Sequence, residues 1–253
     1  MRKRTMAALI LALFFIVVSL LPIYEMMREY GIGSELMKRY DIEHAYVKDG
    51  FPSILDENIV QANGHTIEIV EQDTGRDAPA TWWDRQENVP GGDIVKVQLK
   101  LNGANIAEPV EMWLSNRERG SRYFSWLDVL TVRDTVSQRK SVAIVQRLTD
   151  DDARMQDRRW RIVTIDEQGA WKEEVLTYER RSENPLGVRL VTVSGTSLMG
   201  MGYRSDLLHV YPSLVFPVMY PGGTLVLGLL LLLIGGALGF ADYRNRGKRR
   251  EPR

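Results

Sequence analysis

The stretch Thr224–Ala241 is apolar throughout and carries no ionisable side chain, and it limits what this chain can fold into more than any other feature. A helix of that length in a soluble core keeps a polar stripe, whereas one that is apolar all round is built to sit in hydrocarbon. Pro212, Pro217 and Pro221 fall on its leading side, where they shape the entry without breaking the helix centre. Arg244, Arg246, Lys248, Arg249 and Arg250 follow at once. A second apolar run, Met6–Ile23, comes directly after Arg2, Lys3 and Arg4. No small-x-small pair lies beyond it to suit a signal peptidase, and the nearest candidate, a cut after Ser19 with Val17 at the −3 position, fits poorly. The run therefore reads as an uncleaved signal anchor.

Basic residues collect on the cytoplasmic side of membrane spans. Both clusters sit within a few residues of a span, so both termini are expected in the cytoplasm and the intervening domain outside. The organisation expected is a cytoplasmic N-tail (1–5), a first transmembrane helix (6–24) and a juxtamembrane helical segment (25–41). A β-rich extracytoplasmic domain (42–213), a second transmembrane helix (214–241) and a basic cytoplasmic tail (242–253) complete it. The juxtamembrane segment is expected to break at Gly31 and Gly33 and to restart with Ser34 as an N-cap.

Small residues suggest that the two spans pack on each other. Ala8, Ala12 and Ser19 recur at spacings of four and seven, and so do Gly239, Gly235 and Gly228 read backwards. Antiparallel neighbours would set these small residues opposite one another at matched depths, where backbones can approach.

The formal net charge is zero, yet both tails are basic, so the region between them is acidic by the seven charges the tails hold in excess. Phosphate recognition needs a basic footprint, and an acidic domain argues against nucleic acid as partner. The chain has no cysteine, which removes disulfides, thiol catalysis and thiolate metal sites. About 170 residues between the spans can build a core without such staples. No Asn-x-Ser/Thr acceptor occurs, and together these traits point to a bacterial cell envelope.

Within the central region Val95, Val97, Leu99 and Leu101 alternate with Lys96, Gln98 and Lys100, the period of a strand with one wet face. Asn63-Gly64 and Asn102-Gly103 supply the positive φ angles of tight hairpins, and Glu167–Gly169 marks a third turn. Strands are expected at 58–62, 65–71, 95–101, 110–114, 122–132, 141–148, 160–166, 171–178 and 187–194. The expected class is mainly β, an antiparallel sandwich or barrel-like domain flanked by two transmembrane helices. Residues 73–92 form the longest irregular stretch.

Several patterns touch on chemistry. Asp73-Thr74-Gly75 matches the triplet of aspartic proteases, but no second copy exists and Glu71-Gln72 stand where an apolar strand end belongs. His44, His65 and His209 lack ligand spacing. Asp150-Asp151-Asp152 lacks the spaced order of a calcium loop and reads as a solvated turn. No catalytic residue, metal ligand or cofactor is assigned, and the chain is read as a non-enzyme. Trp82-Trp83, with Asp84 and Arg85, sits in the longest loop and is the candidate contact for a protein partner or a glycan. Trp113, Trp126, Trp160 and Trp171 read as core. The expected function is a membrane-anchored accessory, assembly or regulatory protein that binds another membrane or exported protein. The alternative is a glycan- or polymer-binding accessory of envelope polysaccharide synthesis or export, and a membrane-anchored hydrolase is the third reading.

Overall fold

The computed structural model describes residues 3–48, 51–52, 57–80, 82–116, 122–150, 153–197, 200–207 and 215–248. They divide into two compact units, Met1–Gly31 with Ser205–Arg253 and Ile32–Arg204.

Two helices dominate the first unit: α1 (Lys3–Arg39), whose last turns belong to the second unit, and α4 (Thr224–Lys248). Both are long and apolar enough to cross a membrane, and only 11% of each apolar window is buried. Their surface pattern is inverted relative to a soluble helix. Thr5, Ala12 and Ser19 are buried, while Leu13, Leu21, Leu233 and Phe240 lie exposed.

The expected break at Gly31 and Gly33 is absent, and α1 runs unbroken to Arg39. A helical glycine costs only about 1 kcal/mol relative to alanine, and Gly33 has a packing role. A Cβ there would meet the Tyr203 ring at 3.3 Å. Pro22 is also accommodated inside α1. Proline cannot donate to the carbonyl four residues earlier, and the Tyr220 hydroxyl donates to that carbonyl, Val18 O, at 3.2 Å.

Two antiparallel sheets make up most of the second unit. The smaller sheet has the order β4-β5-β6-β7, formed by Ile59–Ala62, His65–Asp77, Asp93–Leu101 and Ala104–Leu114. The larger has the order β1-β8-β9-β10-β11, formed by Tyr40–His44, Leu127–Asp134, Lys140–Arg147, Arg159–Asp166 and Trp171–Thr177. A two-residue ladder joins β2 (Val47–Lys48) to β3 (Phe51–Pro52). Asn63-Gly64 and Asn102-Gly103 take left-handed φ angles and close the hairpins β4–β5 and β6–β7.

One core lies between the sheets, where Ile67, Val97, Leu99 and Met112 of the smaller meet Leu127, Val129, Ile144 and Val163 of the larger. A second core covers the other face of the larger sheet with α3 (Pro185–Val193), through Leu130, Val145, Trp160, Val188 and Val191. The central strands β8 and β9 are thus covered on both faces, which is why they read as nearly continuous apolar runs.

Two further expectations are corrected. The sheets are open, so the barrel-like alternative does not hold and the class is mixed α/β. The stretch expected as a strand at 187–194 is helical through Val193, with Ser194 as its C-cap. Its apolar run hides its period, and the deciding signal lies just upstream. Asn184 caps the helix by accepting from Gly187 N–H at 2.9 Å, and Pro185 occupies the first turn, where its missing N–H costs nothing.

Candidate functional site

The most elaborate polar cluster of the second unit forms where β5 and β6 leave the smaller sheet. Asp73-Thr74-Gly75, the protease-like triplet, is a β-bulge here: the register of β5 on β6 shifts between Asp73 and Arg76. Gly75 takes a positive φ, its N–H donates to Asp73 Oδ1 at 2.8 Å, and the Thr74 hydroxyl donates to Ile94 O. Such a bulge re-aims the side chains that follow it. Register then resumes with Arg76 opposite Ile94, followed by Asp77 opposite Asp93.

Those two aspartates stand at the neck of the loop 78–92. Ala78 N–H donates to Gly92 O at 2.8 Å and closes the neck. The glycine pair is required there by close approach of backbones. A Cβ on Gly91 would lie 2.3 Å from Ala78 O, and one on Gly92 would lie 1.9 Å from Leu114 O.

Arg122 enters from the turn before β8 and gathers the cluster. Its guanidinium reaches Glu71 Oε2 at 2.7 Å, Asp93 Oδ2 at 2.5 Å and Ser115 O at 2.6 Å. Tyr123 donates its hydroxyl to Glu71 Oε1 at 2.6 Å. Burial alone would depress the Arg122 guanidinium, but the hydrogen bonds and charges of Glu71 and Asp93 outweigh it and hold the group above its ordinary value. Beside Arg122 opens a cavity of about 320 Å³, lined also by Glu71, Asp73, Arg76, Asp77 and Asp93. Carboxylates and guanidinium groups held this way can accept from and donate to hydroxyls or pair with a charged side chain. No motif announced the cluster, because Glu71, Asp93 and Arg122 come from three separate segments.

The Trp82-Trp83 pair belongs to the loop that rises from this neck. Its backbone forms a short helix, α2 (Trp82–Glu87), and the two indole side chains lie outside the described residues. Asp84 is buried and Arg85 exposed, so Arg85 is the one of these two that presents its side chain to solvent.

Other candidates fall elsewhere. His44 Nδ1 and Asp128 Oδ2 are 2.6 Å apart, and burial raises the Asp128 carboxyl while the bond to His44 opposes that rise. His65 Nε2 sits 3.0 Å from Asp166 O. His209, Asp151 and Asp152 lie outside the described residues, among which no cluster of three metal-ligating side chains occurs. Trp160 and Trp126 are buried, but Trp171 is 44% exposed. Trp171 lies on the edge strand β11, none of whose residues joins the core shared by the two sheets.

In the helix pair, Gly228 packs on Ala12 and Ile16, Gly235 on Leu9, and Gly239 on Thr5. Gly228 thus meets the small Ala12 as well as Ile16, while Gly235 and Gly239 meet Leu9 and Thr5, a register offset by about one turn from the expected pairing. Ala8 is half-buried. A hydrogen bond of 2.7 Å between the Ser19 and Thr224 hydroxyls ties the two helices at one depth, and Ser19 also donates to Phe15 O at 2.7 Å. No family model, curated protein or solved structure matches this chain.

Proposed function

We propose that this chain is a two-pass protein of a bacterial cell membrane with both termini in the cytoplasm. In this reading its extracytoplasmic domain is an accessory that binds another membrane or exported protein. The observation that carries the reading is the state of the domain's polar cluster. Arg122 is held by Glu71, Asp93 and Ser115 O, and Glu71 by Arg122 and Tyr123. Charges locked in this way fix a surface for recognition, whereas acid–base chemistry calls for a group poised to exchange its proton. The basic tails and the inverted surface of the helix pair support the topology.

Purification of the full chain from its native membrane in mild detergent tests this. A protein partner recovered in fixed stoichiometry is expected, and a chain that elutes alone under every gentle extraction overturns the reading.

The glycan-binding alternative has one specific observation behind it. The loop carrying Trp82-Trp83 springs from Asp77 and Asp93, two of the carboxylates that line the cavity. Carboxylates for sugar hydroxyls beside aromatic rings for sugar faces are the usual furniture of such sites. Trp82→Ala and Trp83→Ala variants that retain envelope polysaccharide as well as the parent would eliminate it.

A further inference from the structure

The two sheets end in four edges, and they are protected very unevenly. The outer strands β1 and β4 have five and four residues, too short to template a partner. The outer strand β7 is long, but Pro109 interrupts its hydrogen-bonding groups, Ala107 takes a φ of 57°, and its register on β6 shifts between Val97 and Leu99. These are the devices by which proteins blunt an edge. The strand β11 has neither the proline, the bulge nor the short length, and its edge is guarded only by the charges of Lys172, Glu173 and Glu174. It runs Trp171–Thr177 without proline, glycine or bulge, in continuous register with β10 from Arg159–Thr177 to Ile165–Trp171. Among the described residues no strand pairs beyond it.

Its side chains are arranged for company. Register puts Trp171, Glu173 and Val175 on the sheet face of Ile165, Val163 and Arg161. Val163 and Ile165 are in the core between the sheets, yet Trp171 and Val175 are 44% and 54% exposed. The row thus reads apolar, acidic, apolar in the open. Beneath it Arg161 is buried, donates to Gln146 Oε1 at 2.8 Å and to Glu108 O, and stands 3.8 Å from Glu173. Glu174 and Lys172 occupy the opposite face of β11, so the strand carries a net negative charge.

We infer that β11 is a docking edge that takes an extended, basic segment of another protein as an added strand. Main-chain hydrogen bonds would supply the affinity, aliphatic side chains would cover Trp171 and Val175, and lysine or arginine would lie opposite Glu173 and Glu174. A second copy of the chain fits less well. Antiparallel self-pairing centred on either glutamate sets that residue against itself, and like charges directly opposite are unfavourable.

The inference rests on the reading that the domain binds a protein. Its test uses the full chain in detergent and a dye-labelled Thr-Val-Val-Lys-Lys-Thr-Val peptide, which paired antiparallel sets valine opposite Trp171 and Val175 and lysine opposite Glu173 and Glu174, followed by anisotropy and by amide hydrogen exchange. Binding is expected, with slowed exchange confined to Trp171–Thr177. A peptide of the same sequence with alternate backbone N-methylation should bind roughly tenfold more weakly, as should the parent peptide on the Glu173→Lys/Glu174→Lys chain. No slowing in β11, or equal effects from the methylated peptide, overturns the inference. A native partner that co-purifies equally with the parent chain and with Glu173→Lys/Glu174→Lys also sinks it, while leaving the broader function intact. Peptide binding at β11 in a chain that never co-purifies with a partner does the reverse.

Discussion

The helix pair and the sheet domain solve the packing problem in opposite ways. In the domain large aliphatics such as Ile67, Leu99 and Leu130 are buried and charge lies mainly outside. In the helix pair many large aliphatics face outward, and the contact sets glycines against Ala12, Ile16, Leu9 and Thr5 and the Ser19 hydroxyl on Thr224. Burial of apolar surface drives association only against water. Glycines that let backbones approach, with a hydroxyl tie between the helices, suit an apolar solvent, where close packing and hydrogen bonds replace that drive. The domain buries arginine instead, and each buried guanidinium there needs its acceptors.

That contrast can be broken from either side. The largest effect is expected at Arg122→Ala, which leaves Glu71 and Asp93 without their cation. The domain should lose roughly 3 kcal/mol, at the low end of the range for a broken buried pair because Asp93 is partly exposed. Denaturant unfolding of the domain measures this, and a loss under 1 kcal/mol would mean the cluster behaves as a surface ion pair.

Next comes Gly228→Leu, which drives a side chain into Ile16 and the Ala12 carbonyl. The helix pair should lose about 1–3 kcal/mol, read as reduced disulfide formation between cysteines introduced at Leu9 and Gly235, with the domain's unfolding unchanged.

A pH effect follows from Asp128. Its carboxyl is raised by burial above the ordinary 3.8, against the opposing bond to His44. Between 3.8 and that raised value the folded state holds the proton more often than the unfolded one, so this group's contribution to stability falls as pH rises. Asp128→Asn cannot ionise and does not share the fall. Unfolding midpoints of variant and parent, followed upward from pH 3.8, should move in the variant's favour. A gap that is flat with pH would refute the assignment. The smallest effect is Ser19→Ala, which removes the hydroxyl tie to Thr224 at about 0.6 kcal/mol.

Much of the fold was legible wherever a pattern is local. The alternation at Val95–Leu101 and the two Asn-Gly turns state strand and hairpin within a few residues. Elements defined by their neighbours were not. Residues 187–194 are apolar enough for a buried strand or a buried helix, and only the Asn184 cap distinguishes them. Trp171 reads as core by its strand pattern, because a sequence does not disclose which strand will stand at an edge. The candidate site was legible in its glycines and its triplet but not in its chemistry. Gly91-Gly92 and Asp73-Thr74-Gly75 marked an irregular place, whereas Glu71, Asp93 and Arg122 are brought together from two strands and the turn before β8, which no local pattern reveals.

Single-cysteine labelling reads out the topology, two spans with the domain outside, since the chain has no cysteine of its own. Val136→Cys places a thiol on the domain at a residue 80% exposed, and Lys3→Cys and Arg250→Cys place one near each end. With a membrane-impermeant maleimide on intact cells, Val136→Cys should label at once and the two terminal variants only after permeabilisation. Labelling of either terminus in intact cells, or protection of Val136→Cys until lysis, would contradict the account.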